Sequence, residues 1–352
     1  MQPYRVGIAG ATGLVGQRLV AAVAEHPWFE LVAVGASDRS SGRPYGEAAR
    51  WMLSTPVPAK ASAMIVGGCA PSDFERCDLV LSALDSGVAQ DLEPKLAARG
   101  LAVVSNSSAL RMAADVPLLV PEVNGSHAVR IAGRAGSGYV VTNPNCSVTG
   151  LALALAPLHR AFSVRRVVVA TLQSVSGAGL SGPRAIDLLD NVVPYIDGEE
   201  EKIEAELAKI LGGASAHGFT PAPMAVAAHC HRVPTLDGHL EAVSVELSKP
   251  ATPEDAMAAL ASFRGDIEGL ELPTAPRHPI VVRREPDRPQ TRLDRDTGLG
   301  MSVVVGRVRA CPVLTLRLVL LSHNMVRGAA GGAMLNAELL AARDLLPRRS
   351  GG

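Results

Sequence analysis

The stretch that most constrains the fold is Gly10-Ala11-Thr12-Gly13-Leu14-Val15-Gly16, which follows directly on the apolar run Tyr4-Arg5-Val6-Gly7-Ile8-Ala9. A short strand that enters a glycine-rich turn and then a helix makes a phosphate cradle. The glycines permit a tight turn, close approach of backbone to a pyrophosphate and packing of helix on strand, while the helix N-terminus faces the anion. The spacing is GxxGxxG rather than GxGxxG, with Ala9 or Ala11 left to cover the missing position. With a strand before it and a helix after it, the segment points to a dinucleotide held by Gly10, Thr12, Gly13, Leu14 and Val15, against the plainer reading of an ordinary βα turn.

A second strand, at 31–34, ends in Gly35-Ala36-Ser37-Asp38-Arg39-Ser40-Ser41. Small residues with Ser37, Arg39 and Ser40 accommodate a ribose 2′-phosphate and favour NADP. Asp38 argues the other way, as a partner for the ribose of NAD, or it simply opens a turn. Apolar strands at 78–83, 102–105 and 139–142, with a helix at 88–98, extend the alternation into a doubly wound parallel sheet. Arg111 follows the strand at 102–105, on the side where ligands collect, although a lone arginine is more often a solvated charge.

Cys146 stands where the strand at 139–142 hands over to a helix at 147–156, interrupted at Pro157. Unpaired amides and the positive end of a helix dipole stabilise a thiolate, so its pKa is expected below the usual value of about 8.5. The bland alternative is a small buried cysteine. A strand at 165–171 leads to the polar loop Gln173-Ser174-Val175-Ser176-Gly177-Ala178-Gly179. The helix at 199–211 puts Ile203, Leu207 and Ile210 on one face and spreads Glu199, Lys202 and Glu206 around the others, which reads as a solvated charged helix. His229-Cys230-His231 invites a metal reading, but no second ligand pair of recognisable spacing exists and none is expected. His239, just past a glycine turn, reads as a general base or as a satisfied polar residue. Strands at 239–247, 301–309 and 314–321 with a helix at 253–263 predict a mixed sheet whose polar face suits a subunit interface. A helix at 328–345, rich in small residues, is expected to pack back on the first domain, with a frayed tail at 347–352.

At 352 residues the chain exceeds one compact core, so two domains are expected: 1–145, completed by the C-terminal helix 325–352, and 146–324. Hydrophobic residues at 47% and charged residues at 19% give ample core, and Lys+Arg equals Asp+Glu at 34 each, so no bulk charge draws nucleic acid or an anionic membrane. The cysteines, Cys69, Cys77, Cys146, Cys230 and Cys311, form no CxxC pair, which suits a reducing compartment. With no secretory pattern at the start and no apolar run approaching a membrane span, a cytoplasmic location is expected.

These signals, in their order, resemble the aspartate-semialdehyde dehydrogenase family, more closely its archaeal and fungal branch, over nearly the whole chain. The resemblance rests on the glycine turn, Asn143-Pro144-Asn145-Cys146, Thr171-Leu172-Gln173 with Ser176-Gly177-Ala178-Gly179, and Asp190-Asn191-Val192-Val193-Pro194-Tyr195-Ile196. It continues through Gly198-Glu199-Glu200-Glu201-Lys202, Cys230-His231-Arg232-Val233-Pro234 with Gly238-His239, and His323-Asn324 with Arg327-Gly328-Ala329-Ala330. It departs at Leu180-Ser181, where an aromatic residue and proline are frequent, and at Ser174, where alanine is usual. The resemblance implies a Rossmann-type dinucleotide-binding domain followed by an α+β catalytic and dimerisation domain with a mixed sheet. It implies Cys146 as nucleophile, His239 as acid/base, Gln173 orienting the acyl group, Arg232 gripping the substrate carboxylate and Glu199 its ammonium. Lys202 and Arg111 would bind phosphate, and Ser176, Gly177 and Asn324 would join the cofactor site. The implied reaction reduces aspartyl phosphate to its semialdehyde with NADPH through a thioester, the oxyanion being held by amides near Asn145 and Cys146, in a homodimer or homotetramer. The rivals are an acyl-CoA reductase such as one for malonyl-CoA, an N-acetylglutamyl-phosphate reductase, and a nonenzymatic NADP-binding regulator.

Overall fold

The computed structural model describes residues 2–132, 137–180 and 182–348. Its first half alternates β1 (Tyr4–Ala9), α1 (Leu14–Ala24), β2 (Phe29–Gly35), β3 (Leu79–Ser82), α2 (Ser86–Ala98), β4 (Ala102–Ser105) and β5 (Tyr139–Thr142). The strands form one parallel sheet in the order β2-β1-β3-β4-β5. They read as continuous apolar runs because elements cover both faces, and Val6, Ile8, Leu79, Leu81 and Val104 are fully buried. Glycine is required at two points of the β1–α1 turn. Gly10 has a φ of +78°, and a Cβ there would lie 2.5 Å from the Ala83 carbonyl oxygen; a Cβ on Gly16 would lie 2.1 Å from the Gly10 oxygen.

The second half holds α3 (Cys146–Phe162), β6 (Val164–Gln173), α4 (Glu199–Ile210), β7 (Ala225–Arg232), β8 (His239–Leu247), α5 (Pro253–Ser262), β9 (Ile280–Val282), β10 (Val303–Ala310) and β11 (Leu316–Ser322). These strands make a mixed sheet in the order β9-β10-β11-β8-β6-β7. β8 lies antiparallel to β6 and β11, and β7 is parallel to β6. Leu151, Leu155 and Leu158 of α3, Ile203 and Leu207 of α4 and Leu260 of α5 join Val167, Val245 and Leu318 of the sheet in one core. The final helix, α6 (Gly331–Ala342), returns to the first sheet, where Ala333, Met334, Ala337 and Leu340 pack with Val6, Ile8, Leu19 and Val20.

Two local expectations are corrected, the break at Pro157 and the start of the C-terminal helix. Pro157 does not interrupt α3, which runs on to Phe162. The proline leaves the Leu153 carbonyl without its i+4 donor, but the helix is buried on both sides of that gap and packing carries it through. His229, Cys230 and His231 belong to the regular strand β7, with His229 exposed, Cys230 buried and His231 Nδ1 donating to the Thr171 carbonyl at 3.2 Å. The C-terminal helix begins three residues later than the sequence suggests, after a π-helical turn at Val326–Ala330. Of the tail expected to fray, 349–352 lie outside the described residues. Among the described residues no helix is long and apolar enough to cross a membrane.

The π-turn is fixed by a fully buried ion pair, in which both terminal nitrogens of Arg327 donate to the Glu122 carboxylate at 2.6 Å. Removing one partner strands a buried charge. Arg327→Met is therefore expected to destabilise the protein by about 3–5 kcal/mol, and adding Glu122→Gln to recover part of that, as read by urea denaturation midpoints.

Candidate active site

The sulfur of Cys146 sits at the first residue of α3. The Asn145 side-chain oxygen caps the helix, accepting from the N–H groups of Ser147 and Val148 at 2.9 and 3.3 Å. The Asn145 backbone N–H donates to Glu206 at 2.7 Å. That leaves the N–H of Cys146 as the amide of this turn with no acceptor among the described residues. The π-turn presses against the nucleophile from the other side: a Cβ on Gly328 would come within 2.8 Å of the Cys146 Cα.

His239, the first residue of β8, brings Nε2 to 3.1 Å from the sulfur. Its Nδ1 accepts the backbone N–H of Ser174 at 3.1 Å, with the Ser174 hydroxyl 3.2 Å away. A backbone N–H can only donate, so Nδ1 must offer its lone pair, and the ring proton of neutral His239 is assigned to Nε2, directed at sulfur. Arg232 ends β7 and donates to the Ser174 carbonyl at 2.7 Å. The loop after β6 closes over this group at Gly177, where a Cβ would crowd Arg232 Nη1 at 3.2 Å and the imidazole at 3.4 Å. Asn324 ties that loop down, its amide donating to Ser176 Oγ at 2.9 Å while its oxygen accepts from the Gly238 N–H at 2.9 Å.

Helix α4 departs most from its expected reading. Glu199, Lys202, Glu206 and Lys209 recur every three or four residues and share one face, which is turned inward; Glu199, Glu206 and Lys209 are buried. Glu199 accepts from the Asn145 side-chain amide at 2.8 Å and lies 3.7 Å from Lys202 Nζ. Glu206 accepts from Arg111 at 3.0 Å. A helix that reads as solvated thus turns its charge inward, toward Arg111 and the turn at Asn145.

A cleft of about 450 Å³ collects Cys146, Gln173, Arg111, Glu199, Lys202 and Arg232. A second, of about 490 Å³, is lined by Gly10, Thr12, Gly13, Ser37, Asp38 and Gly68. Leu84 and Asp85 border both, so the two form one continuous groove from the end of β2 to the sulfur.

The family model described as semialdehyde dehydrogenase, NAD binding domain, matches residues 5–131, and that described as semialdehyde dehydrogenase, dimerisation domain, matches residues 155–327. The aspartate-semialdehyde dehydrogenase of Archaeoglobus fulgidus is 47% identical over 341 residues, covering 96% of this chain and 98% of that protein. The Candida albicans protein of the same name is 42% identical, covering 98% and 100%. The chain belongs to the aspartate-semialdehyde dehydrogenase family. The crystal structure of the Candida albicans aspartate-semialdehyde dehydrogenase with NADP superposes with a TM-score of 0.92 at 40% identity, covering 98% of this chain and 100% of that one.

Set against its family, the groove fits a dinucleotide on its own geometry. Gly13 is uncrowded, the one would-be Cβ contact within 4 Å being the Gly10 oxygen at 3.6 Å. The N-terminus of α1 has neither a side-chain cap nor an acidic residue in its first turn, which leaves its amides to an anion. Thr12, Ser37 and Asp38 line the groove; Val15, Gly177 and Asn324 line its sulfur end. Leu14 begins α1 without lining either cleft, and Arg39 is exposed and Ser40 partly buried beyond the rim. Sequence reasoning missed Asn145 as the cap and Glu206 as the partner of Arg111 and of the nucleophile's turn. The signal was present in the i, i+3, i+7, i+10 spacing of the α4 charges.

The expected low thiol pKa is overturned for the unliganded protein. Burial pushes Cys146 up to about 12, and the charge of Glu199 adds to it, outweighing Arg111, Arg232 and the hydrogen bond from Ser147. Burial likewise pushes His239 down to about 3, reinforced by Arg232 and His323, instead of near neutrality. A thiol and a neutral imidazole therefore face each other. Because the thiolate is the nucleophile, alkylation of Cys146 by iodoacetamide should rise about tenfold per pH unit from roughly pH 6.5 to roughly pH 8.5. A rate at the Cys146 peptide that has levelled off below pH 7, followed by mass spectrometry, would contradict this.

Proposed function

We propose that the protein performs the reductive dephosphorylation of L-aspartyl 4-phosphate to L-aspartate 4-semialdehyde, an NADP-dependent step in making lysine, methionine and threonine. The observation that carries this reading is Cys146 Sγ 3.1 Å from His239 Nε2, at the end of a groove that also gathers Glu199 and Arg232. Cys146 Sγ attacks the acyl carbon as its thiol proton is given up to the departing phosphate; the C–S bond forms, the C–O bond to phosphate breaks, and hydrogenphosphate leaves beside Arg111 and Lys202. The oxyanion of the tetrahedral intermediate is served by the free N–H of Cys146, and the Asn145 N–H, engaged by Glu206, drops out of that role. Gln173 orients the acyl group; its amide already donates to Thr171 Oγ1 at 3.2 Å, which leaves one hydrogen for the substrate. NADPH, held through Gly10, Thr12, Gly13, Val15, Ser37, Ser176, Gly177 and Asn324, supplies hydride to the thioester when bound. His239, as acid/base partner, shares its Nε2 proton with the thiohemiacetal oxyanion in a hydrogen bond and keeps it as the carbonyl re-forms and the C–S bond breaks, releasing thiolate sulfur. Arg232 binds the α-carboxylate and Glu199 the α-ammonium.

Glu199 also raises the Cys146 pKa in the unliganded site. A substrate ammonium placed on Glu199 cancels that charge, so binding itself favours the thiolate. Glu199→Gln is accordingly expected to move Cys146 alkylation to lower pH while raising KM for aspartate semialdehyde on the order of tenfold or more; no change in either sinks the role. An acyl-CoA reductase has no use for an ammonium partner, which disfavours that reading.

The reaction is tested in reverse with aspartate semialdehyde, phosphate and NADP, following cofactor reduction, with malonate semialdehyde plus CoA as the rival pair. Cys146→Ser should keep NADP binding and lose nearly all turnover, because a serine ester is less reactive and its alkoxide a poorer leaving group; retained turnover contradicts the thioester route. The mixed sheet exposes Val168 and Ala242 on the face opposite α3 and supports a homodimer, two of which could pair as a tetramer, in the cytoplasm. Light scattering during size-exclusion chromatography distinguishes dimer from tetramer.

A further inference from the structure

Two charges of α4 take no part in the chemistry above. Glu206 is 2% exposed and Lys209 is 4% exposed. Glu206 uses both oxygens: one accepts from Arg111 Nη1 at 3.0 Å, and the other from the backbone N–H of Asn145 at 2.7 Å. The carboxylate is thus a two-toothed link from a guanidinium in the cleft to the residue before the nucleophile. One turn further on, Lys209 Nζ donates to the carbonyls of Arg111, Ala113 and Val116 at 2.6, 2.9 and 2.9 Å. Arg111 is therefore held by its side chain through Glu206 and by its backbone through Lys209, both from the same helix. Its Nη2 donates to the Asn106 carbonyl at 2.8 Å, and its Nε–H is buried with no acceptor. A free arginine samples many rotamers; this one has its plane fixed and donor capacity left over.

We propose that Glu206 is a positioning residue, which holds the Arg111 guanidinium and the turn carrying Cys146 as one unit, so that phosphate on Arg111 is presented at a fixed distance from the sulfur. This rests on the reading of Arg111 as a phosphate-binding residue. Its mechanical content is specific. The acyl carbon must meet sulfur while the phosphate it carries meets Arg111, and an error of an ångström between those two points lowers the rate steeply. Glu206 spans the two points through a single rigid carboxylate, and Lys209 keeps the loop bearing Arg111 from drifting along the helix.

A bare counter-ion role makes the opposite prediction. Glu206→Gln keeps the volume and removes the charge; its amide oxygen can accept from one donor, while its NH2 opposes the other. As a counter-ion only, its loss would leave the Arg111 charge unneutralised and would lower KM for phosphate in the oxidative direction. As a positioning residue, its loss raises KM for phosphate on the order of tenfold or more and lowers kcat, with KM for NADP unchanged. Glu206→Asp, which keeps the charge but shortens the reach, should show the same pattern in weaker form, and it stands in if the glutamine variant fails to fold. The cycle with Arg111→Ala decides the route of action: in that background Glu206→Gln should add less than about twofold to the phosphate KM. A lowered or unchanged phosphate KM in Glu206→Gln, or full additivity with Arg111→Ala, overturns the proposal. An Arg111→Ala variant with unchanged phosphate KM removes the phosphate role from Arg111, and the proposal falls with it.

Discussion

The hold on the turn between β5 and α3 is the constraint on which the rest of the structure depends. β5 is the last strand of the parallel sheet and α3 the first element of the mixed-sheet half, so the chain passes from one to the other at Asn143–Cys146. Asn143 donates to the Gly328 carbonyl and to the Asn106 side chain, each at 3.2 Å. Asn145 caps α3 with its oxygen, reaches Glu199 with its amide and gives its backbone N–H to Glu206. A handful of residues thus receives bonds from the first sheet, from α4 and from the returning π-turn. All of those bonds except the part-buried one to Asn106 are buried, where an unmade partner is expensive.

The same burial sets the chemistry of the resting site. A helix N-terminus stabilises an anion, but only by tenths to about two kilocalories per mole, whereas removing a thiolate from water works against it over several pKa units. At Cys146 the second effect wins, with Glu199 beside it. The protein therefore keeps a thiol in the absence of ligand, and the ammonium proposed for Glu199 would be what tips the balance. His239, fixed as a proton donor by Ser174, faces a sulfur that gains from accepting that bond only when ionised.

Much of this was legible in the sequence because it is local. Strand β1, its glycine turn and α1 follow from a continuous apolar run and from the φ requirement at Gly10, and the strands 102–105 and 139–142 agree with the structure to the residue. The handover at Cys146 was visible for the same reason. What escaped depends on distant chain. The apolar stripe of α4, Ile203, Leu207 and Ile210, is a periodic signal, yet nothing in that helix says that its charged stripe will meet Arg111 and Asn145, 95 and 61 residues away. The thiol pKa escaped likewise, since a helix start can be read from sequence while the walls that dry it cannot. Pro157 misled because local propensity stops a helix there and tertiary packing overrides it.

The chain crosses between its two halves at Thr142 to Cys146 and again at Ser322 to Gly331, and these crossings touch, Gly328 lying against the backbone of Cys146. In any rocking of one half on the other, the covalent crossings define the hinge axis, and displacement grows in proportion to distance from that axis. The nucleophile therefore sits where such motion is least. The sulfur and its imidazole, 3.1 Å apart, therefore stay in register under such motion.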